Sequence, residues 1–113
     1  MATSLIGTAP AFADGYSTSD LGTVSNKSTC MAKAKRVLDR YKTGLGAAEV
    51  NQGNWTVFGW DLRPGDQDVL IMCSAPTSTG NDYRRALLVV YGEATREERM
   101  ATRDVISAFW DAD

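Results

Sequence analysis

Three apolar runs lie close together between Asn54 and Gly92: NWTVFGWDL, DVLIMCS and ALLVVYG. Each is rich in β-branched and aromatic residues, which suit a pleated, half-buried surface. Between the first two stands Arg63-Pro64-Gly65-Asp66, with Pro-Gly where a tight turn needs them. Between the second and third lies a polar loop over 75–83, APTSTGNDY. Parallel strands need long crossovers, so connections this short favour an antiparallel meander over 54–62, 68–74 and 86–92.

Helical patterns flank the meander. Cys30, Ala34, Val37, Leu38 and Tyr41 recur on one face at a 3.6-residue period, which predicts a helix over 28–43. Ser28 is read as its N-cap and Gly44 as its stop. Residues 44–53, GLGAAEVNQG, carry three glycines and read as a connection. Thr95-Arg96-Glu97-Glu98 is a capping box, and Ala101, Val105, Ala108 and Phe109 continue it as an amphipathic helix. Upstream, residues 14–26 are polar with scattered Tyr16, Leu21 and Val24, and Leu21–Ser25 reads as a weak strand. The expected order is (β)αβββα. The fold class is α+β, a two-layer sandwich with an antiparallel three- to four-stranded sheet and two helices packed on one face. At 113 residues there is room for one domain, taken as 14–113.

The two cysteines depend on compartment. Thr8 to Gly15, TAPAFADG, contains Ala11-Phe12-Ala13, the A-x-A form of an export cleavage site. Met1 to Pro10 supplies only a fragment of an apolar segment, and the first basic residue is Lys27. Residues 1–13 are therefore read as the remnant of a signal peptide, the alternative being an N-terminal arm lying over the domain. In an exported protein Cys30 and Cys73 pair as one disulfide; in a reducing cytosol both are buried thiols. A pair would orient the fold. Val69, Ile71 and Cys73 share one strand face, and Cys30 lies on the helix's apolar stripe, so the bridge would make that face the core.

The opposite face would then receive Leu70 and Met72, with either Leu87, Val89 and Tyr91 or Ala86, Leu88 and Val90 beside them. The first strand gives Trp55, Val57 and Gly59 to one side and Thr56, Phe58 and Trp60 to the other. A solvated sheet face should be polar, and this one is not. The N-terminal arm, a second copy or a ligand is expected to cover it. The candidate binding residues are Trp55, Trp60, Leu70, Met72 and Tyr91.

Composition narrows the chemistry. The chain has no histidine, which removes Ser-His-Asp and Cys-His catalysis, histidine zinc sites and histidine switches. Two cysteines cannot form a Cys-only zinc site, and Asp61, Asp66 and Asp68 around the hairpin match no EF-hand spacing. No catalytic residue, metal or cofactor is assigned. Six Lys/Arg between Lys27 and Lys42 face one acid, Asp39, and read as a solvated face; net charge is −2, and no nucleic-acid partner is expected. Arg84-Arg85 could clamp a carboxylate, but such a pair more often splits its roles. Glu49, Glu93 and Glu97 sit in connecting or capping positions. Asn26-Lys27-Ser28 and Asn54-Trp55-Thr56 are sequons, relevant only in a eukaryotic secretory pathway. No apolar run approaches the roughly 20 residues of a membrane span.

The A-x-A site, STCMAKAKRVLD, VFGW, VLIMCS, LLVVYGE and the closing amphipathic helix together resemble small exported bacterial proteins of uncharacterised function, over roughly residues 28–110. In those a cysteine that opens a helix is paired with one that ends a strand, and no catalytic residues are known. The resemblance implies a periplasmic or secreted domain. The expected function is non-catalytic binding, through the apolar sheet face or by homodimerisation. The alternatives are a histidine-free hydrolase working through carboxylates, and an inhibitor or immunity-type partner of another exported protein.

Overall fold

The computed structural model describes residues 15–75 and 82–113. The export-signal reading of 1–13 lies outside them, as do positions 76–81 of the polar loop. Seven elements follow in order: β1 (Gly15–Val24), α1 (Lys27–Gly44), β2 (Glu49–Gln52), β3 (Thr56–Leu62), β4 (Gln67–Ser74), β5 (Arg84–Gly92) and α2 (Arg96–Ala112). The strands form one antiparallel sheet in the order β1-β5-β4-β3-β2. The class is α+β, and the predicted meander is its centre.

The sheet has five strands, which corrects the three- to four-stranded expectation. The added strand, β2, lies inside the glycine-rich stretch read as a connection. Only Val50 of its four residues is apolar, so its ladder with β3, from Glu49↔Trp60 to Gln52↔Val57, sets its conformation. β1 begins at Gly15, well before Leu21. Its inward Ser17 and Ser19 lie opposite Val90 and Leu88, and the polar run gives no apolar alternation to read.

The helix ends differ from expectation in the same local way. Asn26, not Ser28, caps α1: its Oδ1 accepts the Thr29 N–H at 2.8 Å. The helix includes Gly44 and stops where the Leu45 and Gly46 N–H groups both reach the Tyr41 carbonyl, at 2.8 and 3.1 Å. Gly46 has φ +110°, a conformation that favours glycine after a helix end. α2 carries the predicted capping box in full, with Glu98 N–H to Thr95 Oγ1 at 3.1 Å and Thr95 N–H to Glu98 Oε1 at 3.0 Å.

Both helices cover one face. Cys30, Ala34, Val37, Leu38 and Tyr41 are buried as the period required, against Val57, Val69, Ile71, Cys73, Ala86, Leu88 and Val90. This settles which set of β5 residues points inward. The buried stripe of α2 is Arg99, Thr102, Ile106 and Trp110, not Ala101, Val105, Ala108 and Phe109. Val105 and Phe109 are half-buried, with the Phe109 ring edge-on to Tyr41 at 6.5 Å. Arg99 is buried where β5 ends. Its guanidinium donates to the Gly92 and Ala94 carbonyls and lies against Gly15, where a Cβ would collide with it. Its Nη1 contacts thus join the start of α2 to the end of β5 with the start of β1 alongside, while its buried Nε has no partner among the described residues.

Cys30 and Cys73 form a disulfide, S–S 2.06 Å with Cα atoms 6.1 Å apart. Three cations of α1 meet α2. Lys33 Nζ stands 4.5 Å from the Trp110 ring, Arg40 lies 4.0 Å over Phe109, and Arg36 donates to both Asp113 carboxylate oxygens at 3.0 and 2.7 Å. Three of the six cations read as a solvated face thus also contact α2 or its C-cap, while Arg36 and Arg40 stay exposed. The C-terminal turn of α2, which has no basic residue of its own, receives its positive charge from α1.

Replacing both cysteines by alanine is expected to cost about 2–5 kcal/mol, because the bridge closes a 43-residue separation in the unfolded chain. Urea unfolding of the double variant against the oxidised parent measures it. The Arg36 hydrogen bonds hold the Asp113 carboxyl below its ordinary range, with Arg36, Lys33 and Arg40 charge adding to them. Its contribution is therefore full above the unfolded carboxyl pKa and disappears as pH falls through the lower folded value. Asp113→Asn is expected to lower Tm at neutral pH and to converge with the parent in strong acid.

Candidate binding face

Because side chains alternate, an inward Cys73 sends its neighbours on β4 outward. The ladders then group the outward residues into four rows across the sheet. The first runs Tyr16, Tyr91 and Asp68, with Trp60 and Glu49 on the β3–β2 side. The second is Thr18, Val89, Leu70, Phe58 and Asn51. The third is Asp20, Leu87, Met72 and Thr56, and the fourth is Thr23, Arg85 and Ser74.

The centre of this face is apolar and its border polar. Leu70, Met72, Leu87, Val89 and Tyr91 are only half-buried, although they stand on central strands. Their inward neighbours Ile71, Leu88 and Val90 have no exposed surface. The difference is the helix layer, which covers the other side alone. Tyr16 at 74% and Trp60 at 37% exposure extend the apolar surface toward its corners.

Aromatic pairs hold those corners in place. Phe58 and Trp60 stack at 5.7 Å with planes 13° apart, and Tyr16 meets Tyr91 at 5.8 Å. Trp60 Nε1–H donates to Asn51 Oδ1 at 3.2 Å, and the Asn51 amide donates to Glu49 at 2.8 Å, so β2 serves as a polar brace for the indole. At the opposite end Arg85 pairs with Asp20 at 2.5 Å. The Gly22 N–H, at 2.9 Å, is the main reason the Asp20 carboxyl titrates below its ordinary value, with Arg85 adding to it.

Of the five candidate residues, Trp60, Leu70, Met72 and Tyr91 share this face. Trp55 stands apart. It precedes β3 and lines a concavity of about 400 Å³ with Lys27, Asn54, Ser74 and Arg84 at the end of the sheet. Tyr16, Phe58, Leu87 and Val89 join the candidates on the face; the register of a strand with no apolar alternation is what brings Tyr16 in. The other marked residues have local partners. Arg84 donates to the Asp82 and Tyr83 carbonyls, while Arg85 turns to Asp20, so the arginine pair splits. Asp68 accepts the Asp61 N–H at 3.1 Å, and Asp61 and Asp66 both take φ +53°, which makes these aspartates part of the hairpin's shape. Among the described residues no helix is long and apolar enough to cross a membrane.

Comparison with protein-family models, with curated proteins and with solved structures yields no match for this chain. The face is therefore judged on its own chemistry. Val89→Thr is expected to change stability by less than about 1 kcal/mol, whereas Leu88→Ala, one residue away, should cost about 2–5 kcal/mol. Chemical denaturation of the two variants side by side checks which face is core.

Proposed function

We propose that this protein is an exported, non-catalytic binding module, periplasmic or secreted, of the kind its sequence resembles. Its working surface is the helix-free face of the sheet. The observation that carries this reading is the run of half-exposed apolar residues at the centre of that face, Leu70, Met72, Leu87 and Val89, bordered by Thr18, Asp20, Glu49 and Asn51. An apolar centre with a polar rim is the layout of a protein–protein interface. Three concavities, lined by helix-side and sheet-end residues, lie away from this centre. A flat face suits another macromolecular surface better than a small molecule, which prefers an enclosed pocket. The disulfide supports export, since such bonds persist outside the reducing cytosol.

Site-specific photocrosslinking in the producing cell tests the reading. A benzophenone side chain at position 70 should yield a covalent protein adduct, while the same group at exposed Ala101 on α2 should not. Absence of any adduct from position 70, with the folded, oxidised protein present in the exported fraction, would refute it.

A further inference from the structure

We infer that the occupant of this face is a second copy of the same chain, stacked sheet on sheet with its strands running opposite. The inference rests on the binding-face reading above and adds the identity and direction of the partner.

The argument is self-complementarity. A two-fold axis lying between the sheets, across the strands and between the second and third rows, brings first row over fourth and second over third. Each strand then faces itself reversed. On β5, Val89 meets Leu87 of the second copy, and Tyr91 meets its Arg85. On β4, Leu70 meets Met72, and Asp68 meets Ser74. Every contact occurs twice, as a two-fold interface requires. The apolar residues fall at the centre, the arginine reaches a tyrosine face, and the aspartate reaches a hydroxyl donor.

Charge selects this direction over its alternative. With strands parallel across the interface, the two-fold axis would run along β4, the central strand, and Asp68 would lie over Asp68 of the second copy. Like charges at a closing interface are costly, so the reversed stack is favoured. Extent is sufficient. Six residues along β5 and five strands across give a patch of about 20 Å by 24 Å, or about 1,000 Å² for two copies, at the threshold for a specific interface. Aligned sheet packing with the usual twist of about 30° keeps the central pairs in register.

Analytical ultracentrifugation of the oxidised protein over a concentration series tests the partner's identity. The expected result is a weight-average mass rising toward twice that of the chain. Leu70→Lys, which places an ammonium opposite Met72, should weaken the dimer by more than about tenfold while the disulfide and circular dichroism stay as in the parent. Direction is read by a photocrosslinker at position 89 in a mixture of isotopically light and heavy protein, whose interchain product should map to residues 84–88. A parent that stays monomeric throughout, or a dimer indifferent to Leu70→Lys, overturns the inference. So does an intrachain product joining position 89 to residues 1–14. If the parent is monomeric but position 70 still gives an adduct of another mass in cells, only the second copy is lost and the binding face stands. If neither dimer nor adduct forms, both fail.

Discussion

One covalent bond fixes the sidedness of the whole molecule. Cys30 lies in the first turn of α1 and Cys73 near the end of β4, and their link brings that helix end down onto the sheet. Once Cys73 points inward, alternation sends Val69 and Ile71 inward and Leu70 and Met72 outward. The ladders carry the choice to β3, β5 and β1 without further freedom, because a one-residue slip would invert a strand. Entropy supplies much of the stability in such a bridge. Its structural consequence is that two equally apolar faces become unequal.

The helix layer shows why the inequality is stable. α1 brings a dense positive face, but Lys33, Arg36 and Arg40 are turned to α2, and Lys35 pairs with Asp39 at 2.7 Å. Lys27 donates to Asn54 at 3.2 Å. Each exposed ion pair contributes little by itself. Together with the stacked Trp110 and Phe109, they close the seam between the helices and give these charges intramolecular partners. On the sheet side Asn51 braces Trp60, and Asp20 holds Arg85.

The sequence carried the centre of this fold well and its edges poorly. β3, β4 and β5 read directly from composition because each lies between two other strands, packs its inner row on the helices and carries a mostly apolar outer row as well. α1 read from its period, and α2 from its capping box. β1 and β2 are edge strands, and their conformation comes from a neighbour's hydrogen bonds. Ser17, Ser19, Asn51 and Gln52 announce nothing. The stripe of α2 was misread by one position because its buried side is semi-polar: Arg99 and Thr102 occupy turns where an apolar pattern is sought. The candidate face inherited both outcomes. Leu70, Met72 and Tyr91 were legible from alternation, while Tyr16 needed the register of an edge strand, and Trp55 was misplaced because it precedes β3 and its exposed ring belongs to the sheet's end.

The distribution of residue types across the outer face argues that its apolar centre is retained for contact. Position on the sheet alone does not demand it. Apart from Tyr16 at the corner, the outward residues on β1 and β2 are Thr18, Asp20, Thr23, Glu49 and Asn51, which shows that this chain does place solvent-compatible residues on that side. The change to Leu, Met and Val occurs only on β5 and β4, where a surface resting against it would be most deeply dehydrated. Threonine at those positions would keep the β-branched shape that strands favour and would remove the aggregation hazard of an open apolar sheet. A monomer would gain from that exchange. A face that must repeatedly meet a matching flat surface would lose by it, since the transfer of Leu70, Met72, Leu87 and Val89 out of water is the main favourable term such a contact has.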